Sequence, residues 1–404
     1  MLGLGNALTT GSPHEQMYSA IFDGTGDYIN TGDAFQSTHR GSFSYSFWMK
    51  PDDGQPGSIQ RLFGTTNSGA EDAFWVDLQT DGKINVRHEA NNDPADYVTD
   101  AAVYSDGAGD WKHICVTVTD GDTGNSSYII YVDGSAVAGT LSNAVAGTAH
   151  DDWTSTDNVY IGGLNNAGTI NTVYAGKIDE FALFNVVLDA DAVTAIYNSA
   201  TKGPFDLNKN RGNYDNSSAL VAYWRMFNGP FDDLQNGIVH DAHNPGYGSE
   251  LWDGTDGDDA NWDVQGSNTK AEDSGAVKIT YVDNAGGALI YLKDSKDLNT
   301  DLTVGATYKL TFESKVNTGS TGWLVRDGAA SGYVEYTSSS NNHTDFQGKT
   351  IYFVAQHATN AFLANYAMGS GEIAWIKNIS LTKLNGYPAI AAADATFSTD
   401  TPDD

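Results

Sequence analysis

Alternating apolar and polar residues predict β-strands through most of this chain. The clearest alternation covers residues 176–185, where apolar side chains point to one side of a half-buried strand. Asp179 interrupts that pattern inside the strand. A carboxylate in this position needs a partner, and we expect either a cation or a backbone amide. The sequence therefore predicts a strand that carries one partnered carboxylate.

One short helix is predicted directly after this strand. The apolar residues change from a spacing of two to the spacing of one helical face. The pattern ends before Gly203-Pro204, a sequence that stops helices. The residues that carry the helical spacing are Leu188, Ala192, Ala195 and Ile196.

Residues 18–204 predict a first β-sandwich. Short strands recur there between aspartate-glycine turn signals, a spacing that is typical of two packed antiparallel sheets. One hairpin is well defined, because Asp81-Gly82 lies between the alternating stretches 74–78 and 84–86.

A second alternating pattern covers residues 249–386 and predicts a second sandwich, of the jelly-roll type. Residues 205–248 are interpreted either as a connector or as a permuted edge strand of the first sandwich. Residues 1–17 predict a flexible arm, and residues 387–404 predict an acidic tail that links or docks to a partner. The expected fold class is all-β, with two antiparallel β-sandwiches and one short helix.

Composition narrows the class of partner. The chain of 404 residues has 21 basic and 52 acidic residues, which gives a formal net charge of −31. This charge repels nucleic-acid phosphates and anionic membrane surfaces, so we expect no nucleic-acid partner. No stretch approaches the roughly 20 apolar residues of a membrane-spanning helix, so no membrane insertion is expected. Residues 1–11 lack the features of a secretion signal, which favours another route out of the cell, such as lysis by a virus.

Six motifs in the first half of the chain, taken in order, resemble the laminin-G/pentraxin-like family of concanavalin-type lectin domains. The resemblance implies a concanavalin-like jelly roll for the first sandwich. The motifs are FDGTGDYI at 22–29, FSYSFWMKP at 43–51, WKHI at 111–114, IYVDG at 130–134, YIGG at 160–163 and GKIDEF at 176–181.

Two further resemblances concern the rest of the chain. Residues 249–386 are similar in layout to galactose-binding-like carbohydrate-binding modules. Those modules have a calcium-binding aspartate in their final strand, and this chain has Lys377 at that position. The opening residues resemble those of structural proteins of tailed phages, marine ones especially.

The lectin resemblance also implies one structural calcium ion (Ca²⁺). The family places it where the amino-terminal turn meets the aspartate of the last strand. Carried over, the ligands are Asp179, Asp23, Gly24 and Asp27. Calcium takes about six to eight oxygens, which a glycine-rich turn can present through its carbonyl groups. The alternative is that Asp179 caps backbone amides and that Asp27 is a turn residue.

Glycan binding needs an aromatic ring that stacks on a sugar, with amides and carboxylates beside it. The candidates lie in or beside predicted polar loops, and for each the alternative is an ordinary packing role. They are Trp75, His88, Asn91, Asn92 and Trp153 in the first domain, and Trp323, Tyr333 and Tyr336 in the second.

No catalytic residue is expected. Glucanases of this fold place paired carboxylates on one strand, and the chain has no such run of acidic residues. The predicted function is a non-enzymatic virion protein of a tailed phage, as a fibre, collar or capsid decoration. Its expected partners are other virion proteins, host surface glycans and further copies of the chain. The alternatives are a secreted or cell-surface adhesin, and a polysaccharide hydrolase or lyase whose acids come from separate strands.

Overall fold

The computed structural model divides the chain into two compact units. Unit 1 contains Met1–Pro245 and Gly386–Asp404, and unit 2 contains Gly246–Asn385. In sequence, unit 2 is therefore an insertion within unit 1. The structure describes residues 18–66, 72–90, 93–119, 127–144, 153–166, 169–197, 206–226, 228, 232–233, 237–252, 254, 257–264, 266–282, 290–292, 298–327, 334–356, 363–366, 369–391 and 396–402.

Unit 1 is built from an eight-stranded and a nine-stranded sheet, with a small two-stranded sheet beside them. Its strands, numbered along the whole chain, are β1 (Ser19–Asp23), β2 (Ile29–Asn30), β3 (Phe43–Pro51), β4 (Gln60–Thr66), β5 (Ala73–Leu78), β6 (Ile84–Ala90), β7 (Asp93–Thr99), β8 (Lys112–Val118), β9 (Tyr128–Val132), β10 (Ser135–Val137), β11 (Gly139–Ser142), β12 (Tyr160–Ile161), β13 (Leu164–Asn166), β14 (Thr169–Asn171), β15 (Ala175–Phe184), β16 (Leu220–Trp224), β17 (Ile238–Val239), β29 (Ala389–Ala391) and β30 (Thr396–Ser398). Its helices are α1 (Gln36–His39) and α2 (Ala190–Tyr197).

The two large sheets of unit 1 pack face to face over an aromatic core. The eight-stranded sheet has the order β10-β9-β8-β3-β15-β1-β30, with β16 also on β15. The nine-stranded sheet has the order β11-β7-β6-β5-β4-β12-β2-β29-β17. The rings of Tyr45 and Phe63 lie 4.6 Å apart at their centroids, within the range of favourable aromatic pairs. Other fully buried rings in this core are Phe22, Phe43, Phe47, Phe74 and Phe181.

Helix α2 confirms the predicted helix. The Asp189 carboxylate accepts the backbone N–H of Ala192 at 2.8 Å and caps the first turn. Leu188, Val193 and Ile196 pack with residues of β15 that face away from the main core. The outer face of the eight-stranded sheet is therefore covered. The expected stop at Gly203-Pro204 lies outside the described residues, and the four-residue helix α1 is too short for a periodic pattern to reveal.

Two segments outside the predicted first sandwich belong to unit 1. Residues 220–224 form β16, which pairs with β15 so that Trp224 lies opposite Phe181. The carboxy-terminal residues supply β29, which pairs with β2, and β30, which pairs with β1. The interpretation of residues 387–404 as a linking or docking tail is therefore wrong for the described residues. Their small and polar side chains hid two short strands.

Asp400 holds the end of this segment in place. Its carboxylate accepts hydrogen bonds from Lys50 Nζ at 2.7 Å, Lys177 Nζ at 3.0 Å and Trp111 Nε1 at 2.8 Å. Burial would raise the pKa of Asp400, but these hydrogen bonds outweigh it and lower the pKa to about 2.

Unit 2 is a second antiparallel two-sheet structure, so the expected all-β class with two sandwiches is confirmed. The six-stranded sheet has the order β20-β21-β28-β23-β26 with β18 on β28, and the five-stranded sheet has the order β19-β22-β27-β24-β25. The strands are β18 (Tyr247–Glu250), β19 (Trp262–Val264), β20 (Thr269–Asp273), β21 (Ala276–Thr280), β22 (Ile290–Leu292), β23 (Thr307–Val316), β24 (Thr321–Asp327), β25 (Val334–Asn341), β26 (Gln347–Val354), β27 (Leu363–Tyr366) and β28 (Ile373–Leu384).

The core of unit 2 contains two fully buried tryptophans, Trp262 and Trp323, with ring centroids 6.2 Å apart. Strand β23 alternates from Tyr308 onward, with Leu310 and Phe312 buried and Thr311 between them partly exposed. Among the described residues, neither helix of the chain has the length and apolar character needed to cross a membrane.

Candidate functional site

The predicted calcium ligands do not converge on one point. Strands β1 and β15 are antiparallel, with Asp23 opposite Ala175 and Ala20 opposite Ile178. Asp179 therefore lies four residues along β15 from the partner of Asp23. At about 3.3 Å per residue, this is a separation of about 13 Å. Asp23 and Asp179 cannot ligate the same ion in this arrangement.

The remaining candidates form a compact turn after β1. The Asp27 carboxylate accepts the backbone N–H of Asp23 at 2.9 Å. The Asp23 carboxylate accepts the backbone N–H and the hydroxyl of Thr25, each at 2.7 Å, and these bonds lower the pKa of Asp23. Gly24 has a φ of +80°, which favours glycine. Within the described part of the chain, no group of three or more His, Cys, Asp or Glu residues is arranged to hold a metal. Calcium itself stays a prediction.

Asp179 has the two kinds of partner that the sequence left open, an amide and a cation. A bulge interrupts the pairing of β15 with β3 after Asp179, and Glu180 adopts a φ of +48°. The Asp179 carboxylate accepts the backbone N–H of Glu180 at 2.8 Å. The buried Arg225 donates from Nε to Glu180 at 3.2 Å. Burial would lower the pKa of Arg225, but the charges of Glu180 and Asp179 outweigh it and raise the pKa.

Three glycan candidates are core residues, so their assignment as a sugar platform is wrong. His88, Trp153 and Trp323 are each at most 1% exposed. His88 lies between the ring of Phe74 and that of Trp153, at centroid distances of 5.5 and 5.6 Å. Its strand alternates, and His88 takes an inward position. Asn91, Asn92 and Tyr333 lie outside the described residues, and of Tyr336 only the position in β25 is described.

Trp75 is the candidate that the structure places at a surface. It lies half-buried on β5, between the inward residues Phe74 and Val76. The Asp81-Gly82 hairpin sets the register, so that Leu78 pairs with Ile84 and Trp75 pairs with Arg87. Trp75 therefore faces outward from the nine-stranded sheet.

Two guanidinium groups flank the Trp75 ring. Arg61 Cζ lies 4.0 Å from the ring centroid, and Arg87 Cζ lies 5.3 Å from it. Both distances fall within the range of cation–π attraction. Arg61 forms an ion pair with Asp77, a carboxylate that is almost fully buried. Burial raises the pKa of Asp77, and the charge of Arg61 opposes that shift.

Arg87 is fixed by two further carboxylates. It donates to Glu89 at 2.9 Å and to Asp96 at 2.9 Å. Because a guanidinium is a rigid planar fork, two such contacts set its orientation as well as its position. The donors beside Trp75 are therefore held in place before any ligand binds.

A row of residues crosses the sheet beside Trp75. Trp75 pairs with Gly64 on β4, and Gly64 pairs with Tyr160 on β12. A Cβ at Gly64 would lie 2.6 Å from the Cβ of Trp75, so no side chain fits there. The strand spacing places the backbones of Trp75 and Tyr160 about 10 Å apart, and Gly64 between them is itself buried. We call this surface, made of Arg61, Gly64, Trp75, Asp77, Arg87 and Tyr160, the Trp75 face.

Tyr160, at the edge of the Trp75 face, is 9% exposed and is also hydrogen-bonded. The Tyr160 hydroxyl accepts amide N–H groups from Asn30 at 3.2 Å and Asn165 at 2.9 Å. The ring of Tyr28 lies 5.5 Å from that of Tyr160. The Trp75 face therefore offers aromatic carbon, hydrogen-bond donors and carboxylate acceptors within one shallow surface.

The sequence analysis missed the polar members of this face. The hairpin signal at Asp81-Gly82 contained the information, because pairing outward from that turn puts Trp75 opposite Arg87. Alternation within β5 then places Asp77 on the same side as Trp75. The contribution of β4 and β12 depends on long-range pairing, which no local pattern shows.

Comparison with known proteins supports the fold of unit 1. Residues 23–194 match the family model described as the concanavalin A-like lectin/glucanases superfamily, which confirms the six-motif resemblance at that level. A similar solved structure is the native heptameric SAP-like pentraxin from Limulus polyphemus, with 15% identity over 45% of this chain and 82% of that chain, and a TM-score of 0.32. Another is the CBM40 of the Ruminococcus gnavus IT-sialidase, with 19% identity over 44% of this chain and 96% of that chain, and a TM-score of 0.35. No curated protein matches this chain in sequence.

Proposed function

We propose that this chain is a non-enzymatic carbohydrate-binding protein whose glycan site is the Trp75 face. The outward-facing, half-buried ring of Trp75 between the fixed guanidinium groups of Arg61 and Arg87 is the observation that carries the proposal. A sugar ring placed against the exposed part of the Trp75 indole contacts aromatic carbon. Its hydroxyl groups reach the fixed guanidinium of Arg87 and the carboxylates that hold it. Shallow aromatic surfaces with a few well-placed polar groups are typical of such ligands.

The charge balance of the face favours neutral sugars. Arg61 and Arg87 face three carboxylates, Asp77, Glu89 and Asp96. No excess positive charge remains for an acidic group, whereas hydroxyl groups use donors and acceptors equally well. The proposed ligand of the Trp75 face is therefore a neutral hexose-containing glycan.

Glycan-array screening of the intact protein, followed by calorimetry with the best neutral oligosaccharide, tests this site. Trp75→Ala should weaken binding about tenfold or more, because buried aromatic anchors dominate binding energy. Trp375→Ala, which changes a half-buried tryptophan of unit 2, is the matched control and should leave this affinity unchanged. Equal affinities of the wild type and Trp75→Ala would overturn the proposal. Release of reducing ends from the bound glycan would revive the hydrolase alternative.

We further propose that the protein acts in a tailed-phage particle, as a fibre, collar or capsid decoration that contacts host surface glycans. The resemblance of the opening residues to phage structural proteins supports this setting, and a lectin-type domain suits attachment to a host. Mass spectrometry of gradient-purified particles should find the protein at structural copy number. Its absence from particles and presence on the surface of the producing cell would favour the adhesin alternative.

A further inference from the structure

The outer face of the six-stranded sheet of unit 2 combines lysines with aromatic rings. Alternation along β23 turns Lys309, Glu313 and Lys315 outward, and cross-strand pairing places Trp375 opposite Lys315 and Lys377 opposite Glu313. Lys278 pairs with Trp375 from the other side. We call this surface the lysine face; its members are Tyr247, Lys278, Lys309, Glu313, Lys315, Phe346, Tyr352, Trp375 and Lys377.

Each of the four ammonium groups lies near a ring. Lys377 Nζ is 4.2 Å from the centroid of Phe346, and Lys315 Nζ is 4.7 Å from Phe346 and 4.8 Å from Trp375. Lys309 Nζ is 5.0 Å from the ring of Tyr247, and Lys278 Nζ is 5.9 Å from that of Trp375. Rings and cations therefore alternate across the sheet surface.

A pocket of about 260 Å³ opens on this face between β23 and β26. Its lining residues are Thr311, Phe312, Glu313, Gly348, Lys349, Thr350 and Asn378. The Asn378 amide donates to Glu313 at 2.7 Å, and Lys377 Nζ lies 3.4 Å from the other carboxylate oxygen. The carboxylate of Glu313 and the amide of Asn378 are therefore already oriented.

Gly348 creates the space of this pocket. A Cβ at this position would meet nothing within 4 Å, so the glycine is not required by packing. Its neighbour across the strands is Glu313. A bare backbone beside a fixed carboxylate and two hydroxyl groups leaves room for one sugar ring.

The charge of this face differs from that of the whole chain. The chain has a net charge of −31, yet the lysine face combines four ammonium groups with three neighbouring carboxylates, those of Glu313, Asp273 and Glu250. The pKa of Asp273 is lowered first by the hydrogen bond from the Trp375 indole and also by Lys278 and Lys315. Charge screening acts over about 8 Å at physiological salt, so a ligand on the face interacts mainly with these local cations.

We infer that the lysine face binds an anionic oligosaccharide, a chain of uronic-acid residues. One sugar occupies the pocket at Gly348, and carboxylates of adjoining sugars contact the ammonium groups of Lys315 and Lys377. This second site rests on the proposed carbohydrate-binding function only for the class of ligand, and it is independent of the Trp75 face.

Calorimetry of the full chain with tetragalacturonate, and with a neutral tetrasaccharide of galactose as the comparison, tests this inference. Tetragalacturonate should bind more tightly. The double variant Lys315→Gln, Lys377→Gln should lose about tenfold or more in affinity. Gly348→Leu should abolish binding with an unchanged unfolding midpoint, because a Cβ at this position meets no atom within 4 Å and the rest of the side chain extends into the pocket.

Two control variants show whether binding depends on the lysine face itself. Lys383→Gln removes a charge from the same strand β28, but Lys383 pairs with the buried Tyr308 and lies off the lysine face, so affinity should not change. Trp75→Ala should also leave tetragalacturonate binding intact, which separates failure of this site from failure of the Trp75 face. Absence of tetragalacturonate binding, equal affinity for the neutral chain, or a loss in Lys383→Gln equal to that of the double variant would overturn the inference. A shift from oligomer to monomer in the double variant without ligand would instead identify the occupant as a second copy of the chain.

Discussion

The two units use their charged residues in different ways. On the Trp75 face of unit 1, each guanidinium is held by carboxylates, and Asp77 is almost fully buried. On the lysine face of unit 2, ammonium groups lie over rings, and Lys377 pairs with a Glu313 side chain that is 37% exposed. Arginine presents a rigid fork, whereas lysine presents a point charge on a flexible stem. The first surface is therefore suited to oriented hydroxyl groups, and the second to anionic groups whose positions vary.

The largest expected effect comes from comparing a buried ion pair of unit 1 with an exposed ion pair of unit 2. Arg225→Ala leaves Glu180 and Asp179 buried beside each other without their cation, which should destabilise unit 1 by about 3–5 kcal/mol. Lys377→Ala removes a surface ion pair from unit 2 and should cost about 1 kcal/mol or less. Denaturant unfolding measures both. Arg225→Lys keeps the charge but loses the planar fork and should fall between them. Similar losses in the two alanine variants would remove the distinction between the units.

The pH dependence of unit 1 should reveal its buried carboxylate Asp241. Its oxygens accept the backbone N–H groups of Tyr223 and His243, each at 2.9 Å, and that of Tyr387 at 3.2 Å. Burial raises the pKa of Asp241 to about 6. Between pH 4 and pH 6 the folded state therefore holds a proton that the unfolded state has released. Over this range the contribution of Asp241 to stability falls as pH rises, by up to about 3 kcal/mol.

Asp241→Asn should remove that fall, so urea unfolding at a series of pH values should give a flatter curve for the variant than for the wild type. The contribution of Asp400 to stability changes with pH in the opposite direction, because its pKa is lowered to about 2. The stability contributed by Asp400 is present above pH 4 and is lost as the pH falls toward 2. Between pH 4 and pH 2, the unfolding free energy of Asp400→Asn should therefore change with pH differently from that of the wild type. Parallel curves for the wild type and Asp241→Asn would contradict the assignment.

Replacing arginine by lysine on one face, and lysine by arginine on the other, tests the comparison between the two faces. Arg87→Lys on the Trp75 face cannot contact Glu89 and Asp96 with a planar fork and should weaken neutral-glycan binding about tenfold. Lys315→Arg on the lysine face keeps a cation over the same rings and should preserve tetragalacturonate affinity. Calorimetry with the two ligands gives both values. If both exchanges proved equally harmful, the lysine face would be as rigidly organised as the Trp75 face.

The smallest expected effect concerns calcium. Asp179 is engaged with the Glu180 amide and lies near Arg225, so Asp179→Ala should destabilise unit 1 by the same amount with calcium and with chelator. Thermal unfolding of both proteins in both conditions measures this. If a calcium-dependent gain in the wild type disappeared in Asp179→Ala, Asp179 would be a ligand after all.

The sequence predicted what local patterns encode. Alternation predicted the strands and the all-β class, and the switch to helical spacing predicted α2. The six motifs predicted the lectin-type fold over the residues where the family model also matches. Each of these signals lies within a short window, where periodicity is a direct consequence of which side is buried.

What escaped prediction depends on distant pairing. His88 and Trp153 were placed beside polar loops, but alternation and contacts from other strands bury them. The predicted calcium ligands were carried over together from the lectin family, but the register of β1 against β15 separates Asp23 from Asp179. Lys377, noted only as a departure from a calcium motif, lies beside Phe346 and Glu313 on the lysine face. Long-range register decides all of these cases, and a single sequence does not display it.

The discontinuity of unit 1 sets the order in which this protein can mature on a ribosome. Strand β1 is translated before unit 2, but its partner β30 is translated after all of unit 2, since Ser19 pairs with Ser398. Unit 2 is contiguous, so it can reach its native state while unit 1 still has an unpaired edge. An unpaired edge strand is a site for association with other chains, and nascent unit 1 is therefore the aggregation-sensitive part of the molecule during synthesis.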